Sequence, residues 1–134
     1  ISLRLKSANL DAIVILTALS LMGTTNNAHY NWRIVTGGTT TGGTWVDAGT
    51  NGSVEYNITG TSFTQGTGRI AANGYASSTN QSSTVIEIPK SELFKFQLER
   101  DSLANTMYEI TLVVTSSTVA AGVLASLDWE EVTR

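Results

Sequence analysis

Residues 29–59, HYNWRIVTGGTTTGGTWVDAGTNGSVEYNIT, constrain the fold more than any other stretch of the chain. Trp32 and Ile34, then a Gly/Thr tract, then Trp45 and Val46, then Gly52, then Val54, Tyr56 and Ile58 form short runs of alternating apolar residues separated by turn residues. A period of two belongs to a strand, not to a helix. Two tryptophans and two tyrosines in so small a unit supply the large apolar area that a thin core between two sheets needs.

The rest of the chain continues the pattern. Residues 2–6 alternate, with Leu3 and Leu5 on one face and Arg4 and Lys6 on the other, which predicts a first strand. Residues 12–22 are apolar almost throughout; Asp11 as a cap and the Ala/Leu content permit a helix, but the run Ile13-Val14-Ile15 favours a strand. The tract from Gly37 to Gly43 is expected to be a hairpin loop, and Asn51-Gly52 is the strongest turn signal, joining the Trp45 strand to the Val54 strand. Residues 60–68 are expected to be a loop anchored by Phe63, and Asn73-Gly74 a bulge or turn before Tyr75.

Residues 77–83 form a polar loop, the strand holding Val85, Ile86 and Ile88 ends near Pro89, and Phe94, Phe96 and Leu98 alternate as a strand, with a helical turn opening at Ser91 as the alternative. Tyr108, Ile110, Leu112 and Val114 mark a long strand after a loop at 101–106. Val123, Ala125, Leu127 and Trp129 mark the last strand, with Glu130 expected beside Arg33 on an adjacent strand. The expected fold is an all-β antiparallel sandwich or jelly roll of nine or ten short strands, in one domain covering 1–134.

Composition bounds the function. The net charge of −3 and pI near 5.0 argue against a nucleic-acid partner, which needs a basic footprint. Charged residues are only 14% of the chain, and about a quarter is Ser or Thr, so the surface is neutral and hydroxyl-rich. With no cysteine there is no disulfide framework and no thiolate metal site. The apolar run at 12–22 is about half a membrane span, so no membrane segment is expected. A chain starting at Ile1 reads as a piece of a longer or processed polypeptide.

No catalytic constellation emerges. His29 is the only histidine, it lies in a loop, and no Gly-x-Ser-x-Gly elbow accompanies it. The carboxylates are scattered without calcium-loop spacing, so no metal, no cofactor and no catalytic residue is expected. The triplets at Asn51, Asn57 and Asn80 fit the glycosylation pattern, as chance allows in so Ser/Thr-rich a chain. Trp32, Trp45 and Trp129 follow strand alternation and are expected in the core. Tyr30, Trp45 and Tyr75 are the alternative candidates for stacking on sugar rings, which would make the domain a carbohydrate-binding module of a fibre or bacterial surface protein.

The segments Asn31-Trp32-Arg33-Ile34-Val35, the Gly/Thr tract, Val54-Glu55-Tyr56-Asn57 and Ile70-Ala71-Ala72-Asn73-Gly74-Tyr75 resemble β-sandwich domains of virion structural proteins from tailed bacteriophages. The resemblance extends loosely from Leu10 to Trp129 and carries no residue roles. It implies a non-enzymatic virion protein, a capsid decoration or cement protein or a tail or fibre module, that self-associates and docks onto major capsid or other virion proteins. A homo-oligomer, most naturally a trimer, is the expected state. Leu3 and Leu5 are the candidate interaction residues, on a terminal strand suited to adding to a sheet edge and leading back to an upstream anchor, with an ordinary strand of the same domain as the alternative.

Overall fold

The computed structural model describes residues 1–78, 84–87, 97–98, 100 and 107–132. Twelve strands lie in this part, ten of them in two main sheets: β1 (Ser2–Leu5), β2 (Ile13–Gly23), β3 (His29–Thr36), β4 (Thr39–Thr41), β5 (Val46–Asp47), β6 (Val54–Asn57), β7 (Ser62–Thr64), β8 (Arg69–Ser77), β9 (Thr84–Glu87), β10 (Gln97–Leu98), β11 (Glu109–Ser116) and β12 (Val123–Val132). The first sheet has the order β5-β6-β1-β11-β3-β8. The second is built on β2, with β12 along one edge and β9 and β10 along the other. Every pairing is antiparallel, and the all-β sandwich expected from the sequence is the observed fold. The expected loop at 77–83 is corrected at its start, where Ser77 ends β8; its remainder from 79 to 83, the Pro89 strand end, the Phe94 and Phe96 alternation and the loop at 101–106 lie outside the described residues.

The core forms where the inward rows of both sheets meet. Leu3 and Leu5 from β1, Tyr30, Trp32 and Ile34 from β3 and Ile110 and Leu112 from β11 pack against Val14, Leu16, Leu19 and Leu21 from β2 and Leu127 from β12. Each such side chain removed from water contributes about 1.5–3 kcal/mol before ordering entropy is counted. The run at 12–22 is one strand, as its β-branched start predicted, but it changes phase midway. Leu16 faces Trp129 and Ala18 faces Asp128, leaving Thr17 unmatched, so the buried set 14, 16 continues as 19, 21, 23. One extra residue shifts the side-chain alternation by one, which is what a bulge does.

Four further local expectations are corrected. The Gly/Thr tract is not a simple hairpin loop: Thr39–Thr41 form β4, which pairs with β7, the strand carrying Phe63. This small sheet lies on the outer face of the first one, where Thr40 Oγ1 shares a hydrogen bond with Ser2 Oγ (2.6 Å) and Thr40 N donates to Glu109 Oε2 (2.8 Å). Asn51-Gly52 does lie in the β5–β6 connection, but the turn is closed by Gly52 N donating to Gly49 O (3.0 Å), with Thr50 and Asn51 at its centre.

Asn73-Gly74 is regular strand; the extra residue of β8 is Ala71, between Ala72 facing Ile34 and Ile70 facing Val35. Gly74 instead lies opposite Trp32, and a Cβ there would stand 2.6 Å from the indole ring, so the missing side chain is what lets the ring lie flat on the strand. Finally, Glu130 and Arg33 are not cross-strand neighbours, because β12 and β3 belong to different sheets.

Candidate functional site

The inner faces are committed to the core, so the candidate site must be sought on the outer faces. On β1, alternation that buries Leu3 and Leu5 turns Ser2, Arg4 and Lys6 outward. Arg4 Nε donates to Glu55 Oε2 on β6 (2.8 Å), and its guanidinium carbon lies 4.1 Å from the centre of the Trp45 ring. Lys6 Nζ meets Asp47 Oδ2 at 3.0 Å and donates to Gly49 O at 3.0 Å. A guanidinium stacked on an indole gains about 0.5–2 kcal/mol as its surroundings dry. At this end of the sheet each cation therefore has its partners inside the chain.

At the other end, β11, β3 and β8 set three rows side by side on the outer face: Thr115, Asn31 and Tyr75; Val113, Arg33 and Asn73; Thr111, Val35 and Ile70. Arg33 is the only charged residue of the nine. Its Nε is buried and has no hydrogen-bond partner among the described residues. Buried polar atoms are nearly always satisfied, so each exception asks for a reason. Beside it the Tyr75 side chain is 82% exposed. Asn31 Nδ2 is already spent on Gly74 O (3.2 Å).

The outer face of the second sheet has the opposite sign. Leu124, Ser126, Asp128, Glu130 and Val132 of β12 point outward and are exposed. Ser126 Oγ shares a hydrogen bond with Ser20 Oγ (2.7 Å), whereas Asp128 and Glu130 lie opposite Ala18 and Ile15, which cannot neutralise them. Glu131 points inward instead: it accepts from Ser53 N (2.6 Å) and from Trp129 Nε1 (3.2 Å), tying β12 to the β5–β6 turn. An open, mainly apolar groove of about 420 Å³ lies between the start of β12 and the first sheet, lined by Ile1, Ile58, Leu112, Val114, Val123 and Ala125 with Leu124 at its rim.

Several sequence expectations are settled by this placement. Leu3 and Leu5 are fully buried in the chain's own core, and β1 is paired on both sides, to β6 and β11. With both edges used, β1 has no free backbone groups to offer a neighbouring subunit, so the attachment role is corrected to a structural one. Tyr30 is also fully buried, its hydroxyl donating to Gly122 O (2.7 Å), so it offers no sugar a surface.

Trp45 is neither core nor free, because Arg4 covers one face of its ring. Tyr75, on β8, lies at the opposite edge of the six-stranded sheet from Trp45, which precedes β5, so the three aromatics form no common platform. Trp32 is core and Trp129 packs against it, as expected. Asn57 is 2% exposed with Nδ2 donating to Gly42 O (3.0 Å), which removes it as a glycan acceptor in the folded chain. His29 is exposed at the start of β3. Among the described residues no three of His, Asp and Glu come together as a metal-binding group.

Sequence reasoning missed Arg33. The available signal was its place in the alternation, a single cation at an outward position between Trp32 and Ile34. No protein-family model, no curated protein and no solved structure matches this chain.

Proposed function

We propose that this domain is a non-enzymatic virion structural protein, a capsid decoration or cement protein or a tail or fibre module, which acts in the virion by self-association, as a trimer, and by docking onto capsid or other virion proteins. The observation that carries this reading is the direct pairing of Trp32 with Gly74. It joins the Trp strand and the Gly-Tyr step, two pieces of the resemblance, into one sheet, and the Val-Glu-Tyr strand β6 is the third piece of that same sheet. The outer face above them carries an arginine without a counter-ion among the described residues and an exposed tyrosine, two residue types that dominate binding energy at protein interfaces.

Light scattering of the purified domain, together with co-sedimentation on assembled shells, tests the proposal. Association or shell binding supports it; a strict monomer at high concentration that binds no shell contradicts it.

The carbohydrate-binding alternative keeps one specific observation in its favour, the exposed Tyr75 ring. A flat aromatic face open to solvent suits stacking on a sugar. Glycan-array binding that disappears in Tyr75→Ala would promote this reading over the first.

A further inference from the structure

The charges left without partners are unevenly distributed. Among the described residues, Arg4 and Lys6 are neutralised within the chain, as are Glu55 and Asp47. Arg33 has no ion pair and an orphaned Nε, and it lies on the outer face of the first sheet. On the outer face of the second sheet, Asp128 and Glu130 are exposed between apolar neighbours. Among the described residues, the sandwich therefore carries an uncompensated arginine on one outer face and two uncompensated carboxylates on the other.

Resting on the self-association reading, we propose that copies of this chain associate head to tail, with the Arg33 and Tyr75 patch of one copy docking against Asp128 and Glu130 on β12 of the next. A buried guanidinium nitrogen without a partner is costly, and a carboxylate arriving at the rest of that guanidinium offsets part of the cost. Tyr75 supplies the apolar contact that a pair of rim charges lacks, and the outward β12 row offers Leu124 and Val132 to receive it. Like-with-like contact is disfavoured, since it would oppose Arg33 to Arg33 or Asp128 to Asp128. The contact is heterologous: each copy uses one patch of each kind, so the assembly closes into a ring, the proposed trimer among them, when the rotation between copies allows.

The test is sedimentation velocity on the 134-residue chain at low salt, over a range of concentrations. Arg33→Glu is expected to weaken association by about tenfold or more, and so is the pair Asp128→Arg with Glu130→Arg. Arg33→Gln, a milder change, gives a smaller loss in the same direction. A mixture of the two charge variants is complementary at every alternate contact, the intact Arg33 against the intact Asp128 and Glu130 and the two reversed patches against each other, so the variants associate with one another where each alone does not. The triple variant restores association with the charges exchanged. Circular dichroism melts confirm that each variant is folded. If Arg33→Glu and the β12 variant associate as tightly as the unaltered chain, the contact lies elsewhere and this proposal falls, while self-association stands. If the unaltered chain is monomeric throughout, self-association itself is wrong, and the proposal falls with it.

Discussion

The two ends of the outer face of the six-stranded sheet are built from the same kind of sequence and finished differently. At the β5, β6 and β1 end, Arg4 stacks on Trp45 and pairs with Glu55, and Lys6 pairs with Asp47. At the β11, β3 and β8 end, Arg33 has no counter-ion among the described residues and Tyr75 is largely exposed. Both arginines follow from strand alternation, each flanked by inward apolar residues, Leu3 and Leu5 in one case and Trp32 and Ile34 in the other. Alternation thus fixes which way a side chain points. Whether it is satisfied there depends on what the neighbouring strands bring, and that separates a self-contained surface from one that asks for a partner.

The largest expected effects lie beneath both ends, in their common core. Trp32→Ala should cost about 3–5 kcal/mol and Leu5→Ala about 2–5 kcal/mol in urea unfolding, from lost burial and the cavities left behind. Costs of similar size would show that the two ends are equally well anchored and differ only on their outer face. A small cost at Trp32 alone would break the comparison, because the Arg33 end would then be loosely packed underneath. A smaller loss, about 1–3 kcal/mol, is expected for Gly74→Ala, since the added methyl meets the Trp32 ring and the strand must shift. An unchanged urea midpoint would mean the indole does not lie against β8.

How much of this was legible depends on what each element needed. β1, β3 and β11 declare themselves by alternation, because one face is buried and the other faces out. β2 could not declare its phase: its apolar residues occupy both faces, and the bulge at Thr17 appears only when β12 is laid beside it. β4 and β7 are short threonine-rich pieces with no signal of their own, formed because the first sheet offers Ser2 and Glu109 to hold them. The position of Trp45 was misjudged for a related reason. A tryptophan in an alternating run reads as core, yet this one lies under an arginine contributed by a strand forty residues away in sequence. The candidate patch was hidden for the same cause, as an unpartnered charge is defined by neighbours that come from distant segments.

A finer effect concerns Ile1, whose α-amine donates to Leu112 O at 3.1 Å. Burial pushes this amine below its ordinary value of 8.0. In the 134-residue chain with a free amine, the unfolded state therefore holds the extra proton between the two values, and stability should rise slightly as pH climbs through that window towards 8. Acetylating the amine should abolish the rise; a rise that persists would assign it to another group.

The claim that one end of the outer face is self-contained and the other serves association is tested most directly by comparing Arg4→Ala and Arg33→Ala in the same buffer, each followed by urea unfolding and by sedimentation velocity. Arg4→Ala should lower stability by about 1–2 kcal/mol, through the lost ion pair and ring contact, and leave association unchanged. Arg33→Ala should change stability by no more than about 0.5 kcal/mol and weaken association. If Arg33→Ala instead destabilises the fold as much as Arg4→Ala and leaves association intact, the two ends do the same work and the account is wrong.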